Sequence, residues 1–273
     1  MRRGGPHVVV ESHETDATQP AAARMYDYYL GGKDNYAVDR EAAAEVEKHY
    51  PSVSIMARTN RDFMHRSVRW LTAEAGIDQF LDIGTGIPTE PNLHQIAQEI
   101  IPDTRVVYVD NDPIVLAHAR ALLTSSNGRT AYIDADVRRV HDILDAPQLR
   151  ETLDLSRPVA LTMIALMHFV PDTAGAYEAV NTVLSMLPRG SYLVMSQATA
   201  DFDPVAIGEA VRIYTQRGLT PQVRTQAEFS RFFDGLELVE PGVVPPHRWR
   251  AGIEPPQSLD AEVNFYAAVA RKP

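Results

Sequence analysis

Residues 80–89 read FLDIGTGIPT, an apolar run that turns through two glycines into a proline-bearing segment. The stretch puts Asp82 near the end of a strand, Gly84, Thr85 and Gly86 in the turn, and Pro88, Thr89 and Pro91 at the opening of a helix. Glycines in such a turn let backbone approach a ligand closely, and the helix N-terminus that follows favours an anionic group. Working outward, the strand candidates are QFLDI, RVVYVD, TAYID, PVALTMIA and SYLVMS, with LELVE and VNFYAAVA late in the chain. Helical stretches such as PNLHQIAQEI, PIVLAHARALL and AYEAVNTVLSML lie between them. Alternating apolar strands and helices predict a mostly parallel sheet covered on both faces, and such sheets bind ligands at the carboxyl ends of their strands. No internal repeat or low-complexity segment interrupts the pattern.

Ahead of this core the chain reads differently. Residues 1–20 are polar and without periodicity, and a disordered tail is expected there. Three helices follow over residues 21–76. The first, AAARMYDYYL, ends at Gly31-Gly32, where a left-handed residue can close it. Asp34 or Asn35 is then expected to cap YAVDREAAAEVEKHY, which Pro51 stops, and SVSIMARTNRDFMHRSVRWLTAEAG runs to Gly76. The segment YDYYLGGKDNYAVDR, residues 26–40, holds four of the eleven tyrosines and suits neither a plain amphipathic helix nor a linker.

Bulk properties exclude several function classes. A chain of 273 residues, 45% hydrophobic, can bury a large core. No apolar run reaches the roughly 18 residues of a membrane span, and the N-terminus has no signal-peptide pattern, so a cytoplasmic location is expected. Without cysteine there is no disulfide, thiolate metal site or cysteine nucleophile, and no metal site is read from the sequence. The net charge of −10 argues against a nucleic-acid partner, which needs a basic surface, and fits a small-molecule partner better. The 23 arginines against three lysines look like the imprint of a GC-rich bacterial genome.

The glycine turn first suggests a nicotinamide dinucleotide, whose fingerprint asks for a third glycine five places after Gly84. That place holds Thr89. The third glycine permits close helix packing beneath a pyrophosphate, and a ligand without pyrophosphate does not need it. S-adenosylmethionine is such a ligand. A lone glycine pair also fits an ordinary strand-to-helix turn, but two further strand ends carry acids. In VVYVDNDP, Asp110, followed by Asn111, can accept hydrogen bonds from both ribose hydroxyls. In AYIDADVR, Asp136 can accept from an adenine amino group while the Val137 amide meets a ring nitrogen. Each acid alone reads as a cap or loop residue; Asp82, Asp110 and Asp136 at three successive strand ends read as one site.

The segments YDYYLGGKDNYAVDREAA, NRDFMHRSVRWL, FLDIGTGIPT, VVYVDNDPIVLAHARALL and LMHFVPD resemble the bacterial S-adenosyl methyltransferase family once known only as a domain of unknown function. The resemblance covers nearly the whole chain after about Arg24. It implies a class I methyltransferase fold, a Rossmann-like α/β domain over residues 77–273 behind a helical cap over residues 21–76. It implies a seven-stranded sheet whose last strand, VNFYAAVA, inserts antiparallel, and it implies S-adenosylmethionine as cofactor. It implies no substrate. Pro88 stands where many methyltransferases of other families have glycine, although this family's own motif looks the same.

Candidate chemistry beyond the cofactor is sparser. His168, in ALMHFVPD just after the fourth strand, can act as a base on a methyl acceptor, or it is a helix-entry histidine bonded to backbone. His94 sits where it can touch the methionine end or simply pack. Methyl transfer to a nucleophilic acceptor needs alignment and exclusion of water more than a base. In the cap, Tyr26, Tyr29 and Tyr36 can shelter a sulfonium by cation–π attraction, and Lys33 can meet substrate or a carboxylate. The leading reading is an S-adenosylmethionine-dependent methyltransferase of a small molecule, such as a secondary metabolite. The alternatives are a non-catalytic module that binds S-adenosylmethionine or S-adenosylhomocysteine, and an NAD-dependent oxidoreductase.

Overall fold

The structure is a computed structural model that describes residues 18–122, 129–253 and 255–273. Most of the expected tail, residues 1–17, and Leu123 at the end of the predicted PIVLAHARALL helix lie outside the described residues. Three helices come first: α1 (Ala22–Leu30), α2 (Ala37–His49) and α3 (Val53–Ala73). Then follow β1 (Gln79–Ile83), α4 (Leu93–Ile100), β2 (Arg105–Asp110), α5 (Pro113–Leu122) and β3 (Thr130–Asp134). Two short helices, α6 (Val140–Leu144) and α7 (Pro147–Thr152), lead to β4 (Ala160–Ile164), α8 (Ala176–Met186) and β5 (Tyr192–Ala198). The chain ends with α9 (Pro204–Gln216), α10 (Gln226–Ser230), β6 (Glu237–Leu238), α11 (Leu259–Val263) and β7 (Phe265–Arg271).

The seven strands form one sheet in the order β3-β2-β1-β4-β5-β7-β6. The first five pair in parallel; β7 runs antiparallel to both β5 and β6, as the class I methyltransferase pattern requires. Strand period two divides the core. Leu81, Ile83, Val107, Val109, Leu161 and Met163 face one buried cluster with α6 and α8. Phe80, Val106, Tyr108, Ala160 and Val194 face the other, together with Phe63, Val68 and Leu71 of α3. Thus α3 closes a face of the sheet as well as belonging to the N-terminal helices. A third cluster joins Met25, Tyr29, Val46 and Met56 of those helices to Ile207 and Ile213 of α9 and to Phe265.

Two local expectations change, and two short helices are added. The segment VNFYAAVA predicts a last strand from Val263, but Val263 ends α11 and Asn264 takes a left-handed turn (φ 49°), so the strand opens at Phe265. Neither Asp34 nor Asn35 caps α2. The N-cap is Tyr36, whose amide donates to the Asp39 carboxylate at 2.8 Å, so the capping acid lies inside the helix. The short helices α6 and α7 carry too few residues to show a period in sequence.

Candidate functional site

Ends of β1, β2 and β3 open on a cavity of about 500 Å³ whose far wall is made by α1, α3, α9 and residues 164–170. The Gly84 and Thr85 amides donate to the Val109 carbonyl at 2.8 and 3.2 Å, which folds the turn back over β2. Gly84 and Gly86 both have positive φ, 76° and 68°, where side chains are disfavoured. Their surroundings differ. A Cβ on Gly84 would lie 2.7 Å from the Leu166 side chain, so this glycine serves packing, whereas nothing stands within 4 Å of a Cβ on Gly86.

The Gly86 amide donates to one Asp110 oxygen at 2.9 Å and the Asp112 amide to the other at 3.0 Å. Each oxygen keeps a second lone pair. Burial pushes the Asp110 carboxyl up to about 6, against those amide hydrogen bonds. Asp82 lines the same cavity and accepts from the Thr162 hydroxyl of the adjacent β4. Burial pushes it, too, up to about 6, while the hydroxyls of Thr162 and Thr85 and the charge of Arg61 pull the other way. The turn's amides go to Val109 and Asp110, so Asp82 does not brace the loop through them.

Asp136 reaches the cavity with its lone pairs already engaged. It caps the 3₁₀ turn at Val137–Arg139, accepts from the Arg138 amide at 2.9 Å, pairs with the Arg138 guanidinium and takes Asn111 Nδ2 at 3.2 Å. Burial acts to raise its pKa, but the Arg138 and Asn111 hydrogen bonds hold it below the usual range. The amide of Val137, first in that turn, lies outside the turn's own hydrogen bonds.

Of the cap residues expected at the site, two arrive. Tyr26 and Tyr29 line the cavity. Tyr26 donates to the Ala57 carbonyl at 2.9 Å and accepts from Asn60 at 3.0 Å, with burial pushing its pKa up to about 12. The hydroxyls of Tyr29 and Tyr214 are 3.3 Å apart. Tyr36, Lys33 and His94 do not reach the cavity. Tyr36 is 41% exposed with the Arg24 guanidinium 5.2 Å over its ring, because its position is the helix cap. Lys33 projects from the exposed loop between α1 and α2. His94 is buried behind the wall, its amide and Nδ1 both meeting the Tyr108 hydroxyl at 3.0 and 2.9 Å.

The Gly31-Gly32 pair has a structural task. Gly31 closes α1 at φ 81°, and a Cβ on Gly32 would overlap the Asp27 carboxylate, 1.9 Å from its oxygen. That carboxylate accepts from the Asp34 amide at 3.0 Å and Asn35 Nδ2 at 2.7 Å, which folds the loop. Arg24 then locks the cap to the core: 3% exposed, it donates to the fully buried Asp39 at 2.8 Å and to Asp112 at 3.3 Å.

Two features have no local signature in the sequence. Arg61 of α3 lines the cavity near Asp82 and Tyr26, with Nη2 on the carbonyls of Thr89 and Pro91. No carboxylate among the described residues lies within ion-pair distance of it, and burial lowers its pKa. The sequence places Arg61 in a long helix, but only the fold reveals which polar residue turns inward. The second feature is an arc of rings, Tyr29, Tyr214, Phe169, His168 and Phe265, drawn from four separated segments. Within it His168 is 8% exposed, and burial, helped by the charge of Arg224, pushes its pKa down to about 3. Its carbonyl takes the Gln222 amide, but its Nδ1 is buried without a partner, so it is not the backbone-bonded helix-entry histidine of the alternative reading.

Residues 9–273 match the sequence family described as S-adenosyl methyltransferase. The chain belongs to this family. A crystal structure of a DUF574-family protein from Streptomyces avermitilis is 50% identical, covers 95% of this chain and 100% of its own, and superposes with a TM-score of 0.90. A candidate methyltransferase from Thermobifida fusca is 39% identical over 97% of this chain and 99% of its own, with a TM-score of 0.89. The plantazolicin methyltransferase BpumL, solved with S-adenosylhomocysteine, is 11% identical over 92% and 95% of the two chains; its TM-score of 0.52 marks the shared fold alone. Among curated proteins, none matches the chain. The protein is an S-adenosylmethionine-dependent methyltransferase, and neither the nicotinamide nor the non-catalytic alternative gains support. No helix among the described residues is long and apolar enough to cross a membrane.

Proposed function

We propose that the protein methylates a small molecule and that the row of strand ends β1, β2, β3 binds the methionine, ribose and adenine parts of S-adenosylmethionine in that order. The observation that carries this reading is that opposite charges line the cavity near the β1 end: the Asp82 carboxylate on the strand and, on α3, the Arg61 guanidinium, which has no acidic partner among the described residues. A half-buried guanidinium without a counter-ion is costly to leave empty, and a zwitterionic amino acid answers both groups. One strand over, roughly 4.8 Å away, Asp110 keeps a lone pair on each oxygen for the two ribose hydroxyls. Another strand over, Val137 and Asp136 face the base, and the Arg138 side chain must swing aside for Asp136 to accept from an adenine amino group.

The bound cofactor supplies an activated methyl group on a sulfonium. The residues around it hold the donor and exclude water: Tyr26 and Tyr29 turn their rings to the cavity from α1, and Arg24 ties that helix to Asp112 beside the ribose acid. Lining by tyrosine, leucine and methionine side chains supports a small organic acceptor over a macromolecule. Calorimetric titration with S-adenosylmethionine, S-adenosylhomocysteine and NAD tests the assignment. Binding of the first two with none of NAD is expected; tighter binding of NAD would overturn it.

A further inference from the structure

The ring-lined part of the cavity is distinct in chemistry from the strand ends. Tyr29, Phe169, Tyr214 and Phe265 wall it together with Met56 and Leu219, and His168 sits between Phe169 and Phe265, with ring centroids at 4.4 and 5.5 Å. Charged side chains that line the cavity are engaged elsewhere: Asp27 holds the cap loop, Asp136 and Arg138 pair with each other, Asp82, Asp110 and Asp112 stand at the strand ends, and Arg61 of α3 lies near Asp82. A charged acceptor among the rings would therefore have no counter-charge. The buried polar groups here are the Tyr29 and Tyr214 hydroxyls, which meet each other at 3.3 Å, and the His168 imidazole, which makes no hydrogen bond with any other described residue. A buried ring without a hydrogen-bond partner needs an explanation, and a ligand in the cavity that this ring lines supplies one. The backbone is also strained here: Ala165, a non-glycine residue, has φ 53°, and it launches the turn that lays Leu166 over Gly84 and brings His168 into the wall. Strain of this kind collects at functional sites.

We infer that the ring-lined compartment binds the methyl acceptor, and that the acceptor is a neutral, flat aromatic compound carrying a hydroxyl held at the His168 imidazole. This rests on the cofactor assignment above. Flat rings stack on the aromatic walls, and the hydroxyl meets the buried imidazole that lacks a partner. In the reaction the hydroxyl oxygen forms a bond to the methyl carbon as the carbon–sulfur bond breaks, its electron pair staying on sulfur. The hydroxyl proton passes to an imidazole nitrogen and then to water, and the products are an aryl methyl ether and S-adenosylhomocysteine. A neutral imidazole suits this step, because the oxygen becomes strongly acidic only as the new bond forms.

The test uses the full chain saturated with S-adenosylhomocysteine, whose own binding is measured first. If that cofactor product does not bind, the cofactor assignment fails, not this one. Naphthol, methoxynaphthalene, naphthoate and naphthylmethylammonium are then titrated. Naphthol is expected to bind at least about tenfold tighter than the two charged probes, and tighter than the methyl ether that lacks the hydroxyl proton. It is also expected to be methylated when S-adenosylmethionine is supplied. His168→Phe should erase the preference for naphthol over its ether and leave S-adenosylhomocysteine affinity unchanged. No naphthol binding to the loaded protein, equal or tighter binding of either charged probe, or an intact naphthol preference in His168→Phe would each overturn the inference. The probe series on the unmodified protein decides the matter even where the variant fails to fold.

Discussion

Two walls of one cavity are built in opposite ways. At the ends of β2 and β3 the acids are fixed by backbone: Gly86 and Asp112 amides hold Asp110, the Val109 carbonyl holds the turn, and the Arg138 amide holds Asp136. Across the cavity, side chains fix side chains: Tyr29 meets Tyr214, Phe169 leans on His168, and Arg24 reaches from α1 to Asp39 and Asp112. Backbone-held groups stay in place when ligand leaves, which suits a cofactor that every turnover requires. A wall made by side chains from distant segments can change shape by substitution without disturbing the sheet, which suits recognition of a particular acceptor.

The contrast is most exposed at Arg24, which joins the two walls. Arg24→Ala should destabilise the protein by about 3–5 kcal/mol, because it leaves the buried Asp39 carboxylate without its charge partner. Thermal or denaturant unfolding measures this, and a loss near zero would mean that the walls are independent. Next in size, Asp110→Ala should weaken S-adenosylhomocysteine binding by about 1–3 kcal/mol through loss of charged hydrogen bonds to the ribose. An unchanged dissociation constant would remove Asp110 from the site.

A smaller effect comes from pH. The folded carboxyl of Asp110 titrates near 6, above the usual carboxylate range that the unfolded chain shows. Between about pH 4 and 6 the folded state therefore binds more protons, so this group's contribution to stability falls as pH rises through that window. Ligand binding needs the ionised acid and runs the other way, so affinity should drop roughly tenfold from pH 7 to 5. Comparing wild type with Asp110→Asn isolates both trends; parallel pH profiles for the two proteins would contradict them. Smallest of all, Tyr36→Ala should leave cofactor affinity unchanged and shift stability by no more than about 0.5 kcal/mol, since the ring stands outside the cavity. A clear loss of affinity would return Tyr36 to the site.

The same contrast explains what was legible in the sequence. Asp82, Gly84, Gly86, Asp110, Asp136 and Val137 each sit in a short local pattern, a strand followed by a turn, and all of them line the cavity. That alternation implies a parallel sheet whose carboxyl ends share one edge, so the three acids could be placed together without coordinates. The opposite wall has no local signature. Tyr29, His168, Tyr214 and Phe265 come together only through α9 and the antiparallel β7. Composition drew attention to the tyrosines of residues 26–40, yet could not separate Tyr29, which faces inward, from Tyr36, which caps a helix. Arg61 was hidden for the same reason: one polar residue on the inner face of a long helix looks like any other until the sheet stands opposite it.

The assignment of the β1 end to an amino acid is the claim on which the rest depends, and Arg61→Gln tests it most directly. The change removes the charge from the cavity and keeps a polar, shorter side chain. S-adenosylhomocysteine and methylthioadenosine, which lacks the amino-acid carboxylate and ammonium, are titrated into wild type and variant. Affinity for S-adenosylhomocysteine should fall about tenfold or more, as expected for loss of a charge-assisted pair, while affinity for methylthioadenosine stays the same. Equal losses for both ligands, or no loss for either, would contradict the account.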